Sequence, residues 1–287
     1  MAIIVTQIVA LSPTPLEESQ SPAASLEPEE LVESEGGTLA SGIPTDRIPD
    51  YSVEKFNYVS TRAGQKQWRL VAERAFLYNK EKLVHARNVT AYIYDAGGKT
   101  TVVTGLEAKY FMDQRDLEVF GKVVTTFPDG FVTESPYLRY LPAIRRIDIP
   151  PKYPVHGKGN APDGGQGIEF DSHGLDFAMA DSEITLPRAV RFVLTPKNEK
   201  QPPQNGPRET TTIESDRCVI LRDRSLARFS MDAATAVERR FVRIFQPTMD
   251  SRSRRAELNY GTGPTGGRAL QYLLLFQDVL VLSLIHI

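Results

Sequence analysis

The chain has 287 residues, enough for one large or two modest domains, with 41% apolar residues, 24% charged residues and a formal net charge of −2. This nearly neutral composition gives no reason to expect a nucleic-acid partner. The single cysteine, Cys218, excludes an intramolecular disulfide framework and a multi-cysteine metal site. Twenty prolines, twenty glycines and short runs of Val, Thr, Tyr and Phe favour many strands joined by turns.

The first 49 residues are predicted to lie outside the folded part of the chain. Residues 1–11 are apolar but too short to span a bilayer, which takes about 20 residues, and they lack the basic flank of a secretion signal. Two interpretations stay open: a disordered start or atypical export signal, and the remnant of a membrane anchor. Residues 12–49 hold six prolines and seven glutamates against one arginine, which predicts a disordered, self-repelling linker.

An all-β domain is predicted to begin near Asp50 and to extend to residue 195. Apolar residues alternate with polar ones in four segments, 68–73, 106–110, 117–127 and 175–179. A period of two with one apolar face is typical of strands that are covered on one side. Turn-forming Asn, Asp, Gly and Pro lie between the strands, at residues 79–81, 95–98, 113–115 and 128–130.

A second β module is predicted after a polar, proline-rich linker at residues 196–207. Residues 208–268 hold twelve arginines, no lysine and eight acidic residues, and strand-like runs return at 211–221, 241–246 and 270–282. A faint repeat relates residues 75–89, 108–123 and, more loosely, 214–230. Stacked hairpins of this kind build an open sheet, so the predicted fold is an open β jelly roll followed by a truncated module of the same kind at residues 208–287.

The last apolar run, residues 269–287, is interrupted by Gln271, Gln277 and Asp278. An Asp near the middle of a transmembrane helix is costly, so we expect a buried strand pair in this run instead. We interpret the final six residues, LSLIHI, as non-native sequence at the end of a fragment.

No catalytic or metal-binding motif stands out in the sequence. The four histidines are isolated and form no metal-ligand pair: His85, His156, His173 and His286. Residues 261–266 match GxGxxG, but Pro264 and the lack of a following helix leave no helix N-terminus for a pyrophosphate. We therefore expect a protein that is not an enzyme and needs no cofactor or metal.

Arginines cluster in the second module: Arg239, Arg240, Arg243, Arg252, Arg254 and Arg255. Guanidinium groups match phosphate geometry, so one interpretation is a phosphate-binding patch. The other, which we favour, is a solvated sheet face balanced by Asp250 and Glu257.

Three segments resemble the LptC family, the periplasmic component of lipopolysaccharide export: residues 117–140 (LEVFGKVVTTFPDGFVTESPYLRY), 155–159 (VHGKG) and 165–179 (GQGIEFDSHGLDFAM). They contain, in order, an L-x-V-x-G-x-V strand, a Gly turn, T-E-S before an aromatic strand, and a G-x-G stretch. The resemblance covers about residues 50–193. The second module, from TTIESDRCVILRDRSLARF onward, is similar to an incomplete OstA/LptA-type repeat. Having both in one chain departs from the family's usual arrangement of separate proteins.

The resemblance implies an open β jelly roll, or β-taco, whose concave interior holds acyl chains. Strands with one apolar face agree with this, because a sheet too open to fill itself offers that face to a lipid. The predicted groove residues are Trp68, Leu70, Leu106, Tyr110, Leu117, Val119, Val123, Phe127, Leu175, Phe177 and Met179.

The resemblance also implies the partners and the location of the protein. The expected partners are lipopolysaccharide, the inner-membrane ABC transporter subunits and an LptA-like bridge protein, with the periplasm, tethered to the inner membrane, as the compartment. Family members assemble edge to edge, and residues 51–60 are the predicted edge facing the transporter.

Two other functional classes stay open. A structural or adhesive β-solenoid would have a groove filled by its own side chains. A β-helix enzyme acting on carbohydrate would need paired acids on one sheet face, and we single out Asp181 and Glu183, which have this spacing beside an apparent strand start.

Overall fold

The computed structural model describes residues 48–95, 97–160, 166–196, 210–232, 241–247, 249–259 and 272–283, all within one compact unit, residues 43–287. Apart from a 3₁₀ turn at Arg222–Arg224, the regular structure of these residues is all β-strand. The strands are β1 (Tyr51–Arg62), β2 (Gln65–Tyr78), β3 (Leu83–Tyr94), β4 (Thr100–Phe111), β5 (Asp116–Thr126), β6 (Val132–Leu141), β7 (Arg146–Asn160), β8 (Gln166–Ala178), β9 (Glu183–Leu186), β10 (Val190–Pro196), β11 (Thr211–Ser215), β12 (Arg217–Leu221), β13 (Leu226–Ser230), β14 (Val242–Gln246), β15 (Met249–Ser253), β16 (Arg255–Asn259), β17 (Tyr272–Phe276) and β18 (Leu280–Ser283).

The first eight strands form an antiparallel meander in which each strand pairs with the next along the chain. The tight turns between them use left-handed residues, including Gly64 at φ +78°, Lys82 at φ +50° and Arg115 at φ +62°. Turns at residues 79–82, 112–115 and 128–130 confirm the turns predicted there from the sequence. This half of the molecule is therefore one continuous sheet of long strands.

Each long strand bends once near its middle. In β5 the bend carries Gly121 at φ +76°, and in β8 it carries Gly174 at φ +85°. Strand pairing is irregular at the same level, for example between Phe120 and Val123 of β5. Because every strand bends at the same height, the sheet folds along one crease into two facing arms.

Beyond β8 each bent strand is replaced by two short ones. β9 pairs with the second half of β8 and β10 with its first half, and the two series then continue separately. The first arm consists of residues 51–54, 74–78, 83–87, 107–111, 116–120, 139–141, 146–149 and 175–178 with β9, β12, β13, β16 and β17. The second arm consists of residues 56–62, 65–72, 89–94, 100–104, 123–126, 132–134, 154–160 and 166–171 with β10, β11, β14, β15 and β18.

The inner faces of the two arms pack against each other. Trp68 of the second arm contacts Tyr110 of the first, with ring centroids 5.0 Å apart. Farther along, Phe192 of the second arm meets Phe229 of the first at 5.5 Å. Alternate residues of each strand are buried between the arms, as the period of two predicted. The all-β, open-sheet prediction is therefore confirmed.

Within the described residues the sheet does not close on itself. There β1 pairs only with β2 at one end, whereas β17 and β18 pair only with β16 and β15 at the other. The prediction of a buried strand pair at residues 269–287 is half wrong: the strands exist, but they lie at the sheet edge, and Leu282 is 56% exposed. With one neighbouring strand each among the described residues, these edge strands have no strand paired to their outer side.

Several predicted features lie outside the described residues. These are the apolar segment 1–11, the linker up to residue 47, residues 197–209 of the second linker and its flank, Arg239 and Arg240, the GxGxxG match, and the last four residues. Strand pairing between β8 and β10, and between β10 and β11, continues the sheet from the first predicted module into the second. The division into modules at residues 195 and 208 stays a prediction.

Alanine at Gly174 tests the crease. A Cβ at this position would lie 2.9 Å from both Pro151 Cα and Pro187 Cγ, in a left-handed backbone. Backbone strain and overpacking together predict a loss of about 2–4 kcal/mol in the free energy of unfolding, measured by urea denaturation. Gly64→Ala is the control, since Gly64 is also left-handed but a Cβ there meets nothing within 4 Å. Equal losses for the two variants would contradict a packed crease.

Candidate functional site

Aromatic side chains join the two arms near the β1 end of the sheet. Tyr58 lies 5.4 Å from Trp68 and 5.2 Å from Tyr110, measured between ring centroids, and the Tyr58 and Tyr110 hydroxyls are 3.3 Å apart. Burial and the hydrogen bond to Tyr58 raise the pKa of Tyr110. Both factors keep the Tyr110 phenol neutral, so this part of the interior is uncharged and filled by its own rings.

A cavity of about 380 Å³ opens between the free rims of the two arms, at the level of β4 to β12. Its inner wall is apolar and includes Phe131, Ile168, Phe170, Phe177, Met179, Ile184, Phe192 and Ile220. Charged residues stand at its mouth: Asp95, Lys99, Asp129, Arg222 and Asp223. An apolar pocket with a few polar groups at its entrance is the usual form of a site for a small or amphiphilic ligand.

Two glycines of β7 shape the second-arm wall of this cavity. A Cβ on Gly157 would overlap the Phe170 ring, and a Cβ on Gly159 would overlap the Phe131 ring. Without those carbons the two rings lie against the β7 backbone and stack on each other, with centroids 5.7 Å apart. The G-x-G stretch noted in the sequence therefore makes room for the aromatic wall.

Opposite rims meet at the mouth through one ion pair. Arg222 belongs to the 3₁₀ turn on the first arm, and its guanidinium donates to the Asp129 carboxylate in the β5–β6 turn of the second arm. The same guanidinium lies over the rings of Phe127 and Phe177, 5.4 and 5.7 Å from their centroids. This ion pair thus links the two arms at the place where the apolar cavity reaches water.

Most predicted groove residues lie between the arms. Nine are buried there: Trp68, Leu70, Tyr110, Leu117, Val119, Val123, Phe127, Leu175 and Phe177. Met179 is half-buried and packs against the same core. Of the eleven, Phe177 and Met179 line the cavity and Phe127 lies beneath Arg222.

The predicted inward position of Leu106 is wrong. Its side chain is 49% exposed and lies over Gly121 at the crease. Pairing between β4 and β5 shifts register between Thr104 and Glu107, and this irregularity turns Leu106 outward although Ala108 and Tyr110 face inward.

Most residues of the cavity wall were not predicted from the sequence. Phe131, Phe170 and Phe192 were not among the predicted groove residues. Phe170 sits in the run IEF, whose alternation with Ile168 could have identified it. The meeting of Phe131 with Phe170 depends on the pairing of β6, β7 and β8 across intervening turns, which residue patterns alone do not specify.

Charged residues of the arms lie on their outer faces. His85 Nε2 is 2.7 Å from Glu107 Oε2, and burial lowers the pKa of His85 against the opposing effect of that carboxylate.

Arg243 and Arg252 are cross-strand neighbours on the outside of the second arm. Arg254 pairs with Asp278, 2.5 Å away, and Arg255 is exposed. Among the described members of the arginine cluster, this arrangement is a solvated outer face.

Acidic residues give no metal cluster in the described part of the chain, where no three His, Cys, Asp or Glu residues come together as ligands. Asp181 is exposed in the turn after β8, and Glu183 begins β9. Asp181 and Glu183 therefore do not share a strand. Two acidic pairs with the same spacing that were not predicted do share one, Asp116 with Glu118 in β5 and Glu169 with Asp171 in β8.

Residues 32–145 match the family described as Lipopolysaccharide-assembly, LptC-related. This part of the chain is similar to the LptC-related family. The matched LptC-related segment runs through β1 to β6 and ends at the turn before β7, so the G-x-G stretch and the residues of β8 lie beyond it. A search of curated proteins found no match.

The description of the matched family names lipopolysaccharide assembly, so the match supports a role in lipopolysaccharide transport. The OstA/LptA-like identity of the second module stays a prediction. None of the helical structure in the described ranges is long and apolar enough to cross a membrane.

Alanine at Gly159 tests the aromatic wall. The added Cβ must displace the Phe131 ring, and overpacking of this kind costs about 1–3 kcal/mol in the free energy of unfolding. Gly167→Ala on the neighbouring β8 is the matched control, because its nearest contact would be an ordinary 3.7 Å, to the Thr195 carbonyl oxygen. Urea unfolding should separate the two variants. A Gly159→Ala protein as stable as Gly167→Ala would show that the ring does not rest on this glycine.

Proposed function

We propose that this protein binds the acyl chains of lipopolysaccharide between its two arms and passes them along a transenvelope bridge. The observation that carries the proposal is the apolar cavity at the mouth of a folded, open sheet in an LptC-related chain. Each buried methylene contributes about 0.8 kcal/mol, so acyl chains bind such a surface without polar recognition.

The arms must part for the chains to pass. Trp68, Leu117 and Val119 are fully buried, so a lipid next to β1–β5 would have to replace contacts between the arms. The cavity itself is at the lower end of the roughly 300–1,000 Å³ usual for ligand sites. An open sheet can separate along its rims without breaking strand pairing, because its backbone hydrogen bonds run along each arm and around the crease.

The two edges of the sheet provide docking sites for the neighbours in the bridge. β1 offers its unpaired backbone to the inner-membrane ABC transporter subunits, and β17 and β18 offer theirs to an LptA-like protein. Leu274, Val281 and Leu282 are exposed at the second edge, which suits burial against a partner. In this arrangement the protein works in the periplasm, tethered to the inner membrane.

A structural or adhesive solenoid is the second candidate function. It is favoured by the side-chain filling near Trp68 and Tyr110, where the arms pack as closely as a protein core. The cavity near Phe177 and the family match favour transport.

In-cell photocrosslinking distinguishes these two functions. A light-activated residue replaces the buried Val123 or Phe177, and a blot reads out adducts with lipopolysaccharide. The matched controls are their outward-facing neighbours in sequence, the exposed Lys122 and the half-buried Asp176. We expect adducts at the two inner positions and none at the controls. Absence of adducts at both inner positions, in exported and folded protein, would reject transport in favour of the solenoid.

A further inference from the structure

The ion pair at the mouth of the cavity ties together elements that are far apart in sequence. Arg222 follows β12, and its backbone N–H donates to the Ser182 carbonyl at 3.1 Å, which fixes the 3₁₀ turn on the rim of the first arm. Asp129 lies 93 residues earlier, on the other rim, where its Oδ1 accepts the Phe131 backbone N–H at 3.2 Å. Arg222 therefore reaches across the opening between the arms.

The guanidinium of Arg222 stands at the boundary between apolar interior and water. The two rings beneath it, Phe127 and Phe177, meet edge to face with centroids 5.4 Å apart, and both are buried. The Arg222 side chain is 22% exposed and the Asp129 side chain 50%. A ligand with chains against these rings would place its polar end at Arg222.

We propose that Arg222 is a specificity residue that binds a phosphate group of the acylated lipid, with Asp129 occupying the guanidinium in the lipid-free state. This inference rests on the proposed function. A phosphate presents two oxygens to a guanidinium as a carboxylate does, with more charge, so it can replace Asp129. The exchange breaks the link between the rims and leaves the half-exposed Asp129 carboxylate in water.

The charges at the mouth favour a phosphate carried by a lipid over a free ion. Three carboxylates, from Asp95, Asp129 and Asp223, stand against two cations, Lys99 and Arg222. A rim with this excess of negative charge repels a free anion. Acyl chains buried in the cavity hold an attached phosphate at high local concentration beside Arg222, which overcomes the repulsion.

Displacement of a fluorescent acyl probe from the purified full chain tests the inference. Three competitors are compared: lipid A with both phosphates, the same lipid A stripped of phosphates, and inorganic phosphate. The variants are Arg222→Gln, Arg222→Lys and Asp129→Asn, which keeps the oxygen that accepts the Phe131 N–H. Arg224→Gln is the control, because Arg224 is an exposed arginine of the same turn that does not line the cavity. Thermal unfolding checks that each variant is folded.

The wild type should prefer phosphorylated lipid A by roughly tenfold to a hundredfold, the range expected for a charge-assisted bidentate contact. Arg222→Gln should abolish the preference, Arg222→Lys should retain part of it, and Arg224→Gln should leave it intact. Asp129→Asn should strengthen binding of the phosphorylated lipid more than binding of the stripped lipid, because it frees Arg222 for the phosphate as well as weakening the link between the rims. Inorganic phosphate should displace nothing.

Equal affinities of wild type for the two lipids, or a preference that survives Arg222→Gln, would overturn this inference and leave acyl-chain binding standing. Displacement by inorganic phosphate would also overturn it, since the site would then be a simple anion site. If neither lipid displaced the probe, the proposed function would fail together with it.

Discussion

The long strands β1 to β8 all bend near their middle, and this shared bend shapes the rest of the fold. A flat sheet with one apolar face would leave that face in water, whereas a crease at one height lets the two halves of each strand cover each other. Gly121 and Gly174 supply left-handed backbone at this crease, and beyond β8 the chain breaks each bent strand into two. Burial, the open rims and the cavity all follow from this fold line.

Alternation in the sequence predicted β2, β4, β5 and β8 and most of their inward residues, because a period of two is a local property. It did not predict β15, whose inward residues Ser251 and Ser253 are buried but polar. It also missed β16, although the inward residues Ala256 and Leu258 are apolar and alternate. Leu106 was misplaced because an irregularity in pairing changes which face a residue occupies, and that depends on the neighbouring strand. The cavity wall combines β5–β6, β7, β8, β10 and β12, and its assembly is a tertiary property.

The interior changes character along the sheet. Near Trp68 the arms are packed as a protein core, and near Phe177 they leave a cavity that reaches the rim. The structure described is a closed form of the protein. A lipid path along the whole sheet therefore requires a second, opened form in which acyl chains replace contacts between the arms. Contacts such as Phe192 with Phe229 are apolar, so lipid tails can substitute for them at little cost in free energy. The Arg222–Asp129 pair stabilises the closed form where the lipid would enter.

Opening of the arms would move their rims apart, so the distance between the rims shows whether lipid binding opens them. Spin labels at Gly97 and Arg224 report on opposite rims, and labels at Gln114 and Arg224 report on the same rim; Cys218 is fully buried and stays unlabelled. The distances are measured by pulsed electron–electron double resonance, with and without lipopolysaccharide. We expect lipid to lengthen the distance between opposite rims and to broaden its distribution. The distance between the two labels on the same rim should stay unchanged. Saturating lipid binding with an unaltered distance between opposite rims would contradict opening of the arms.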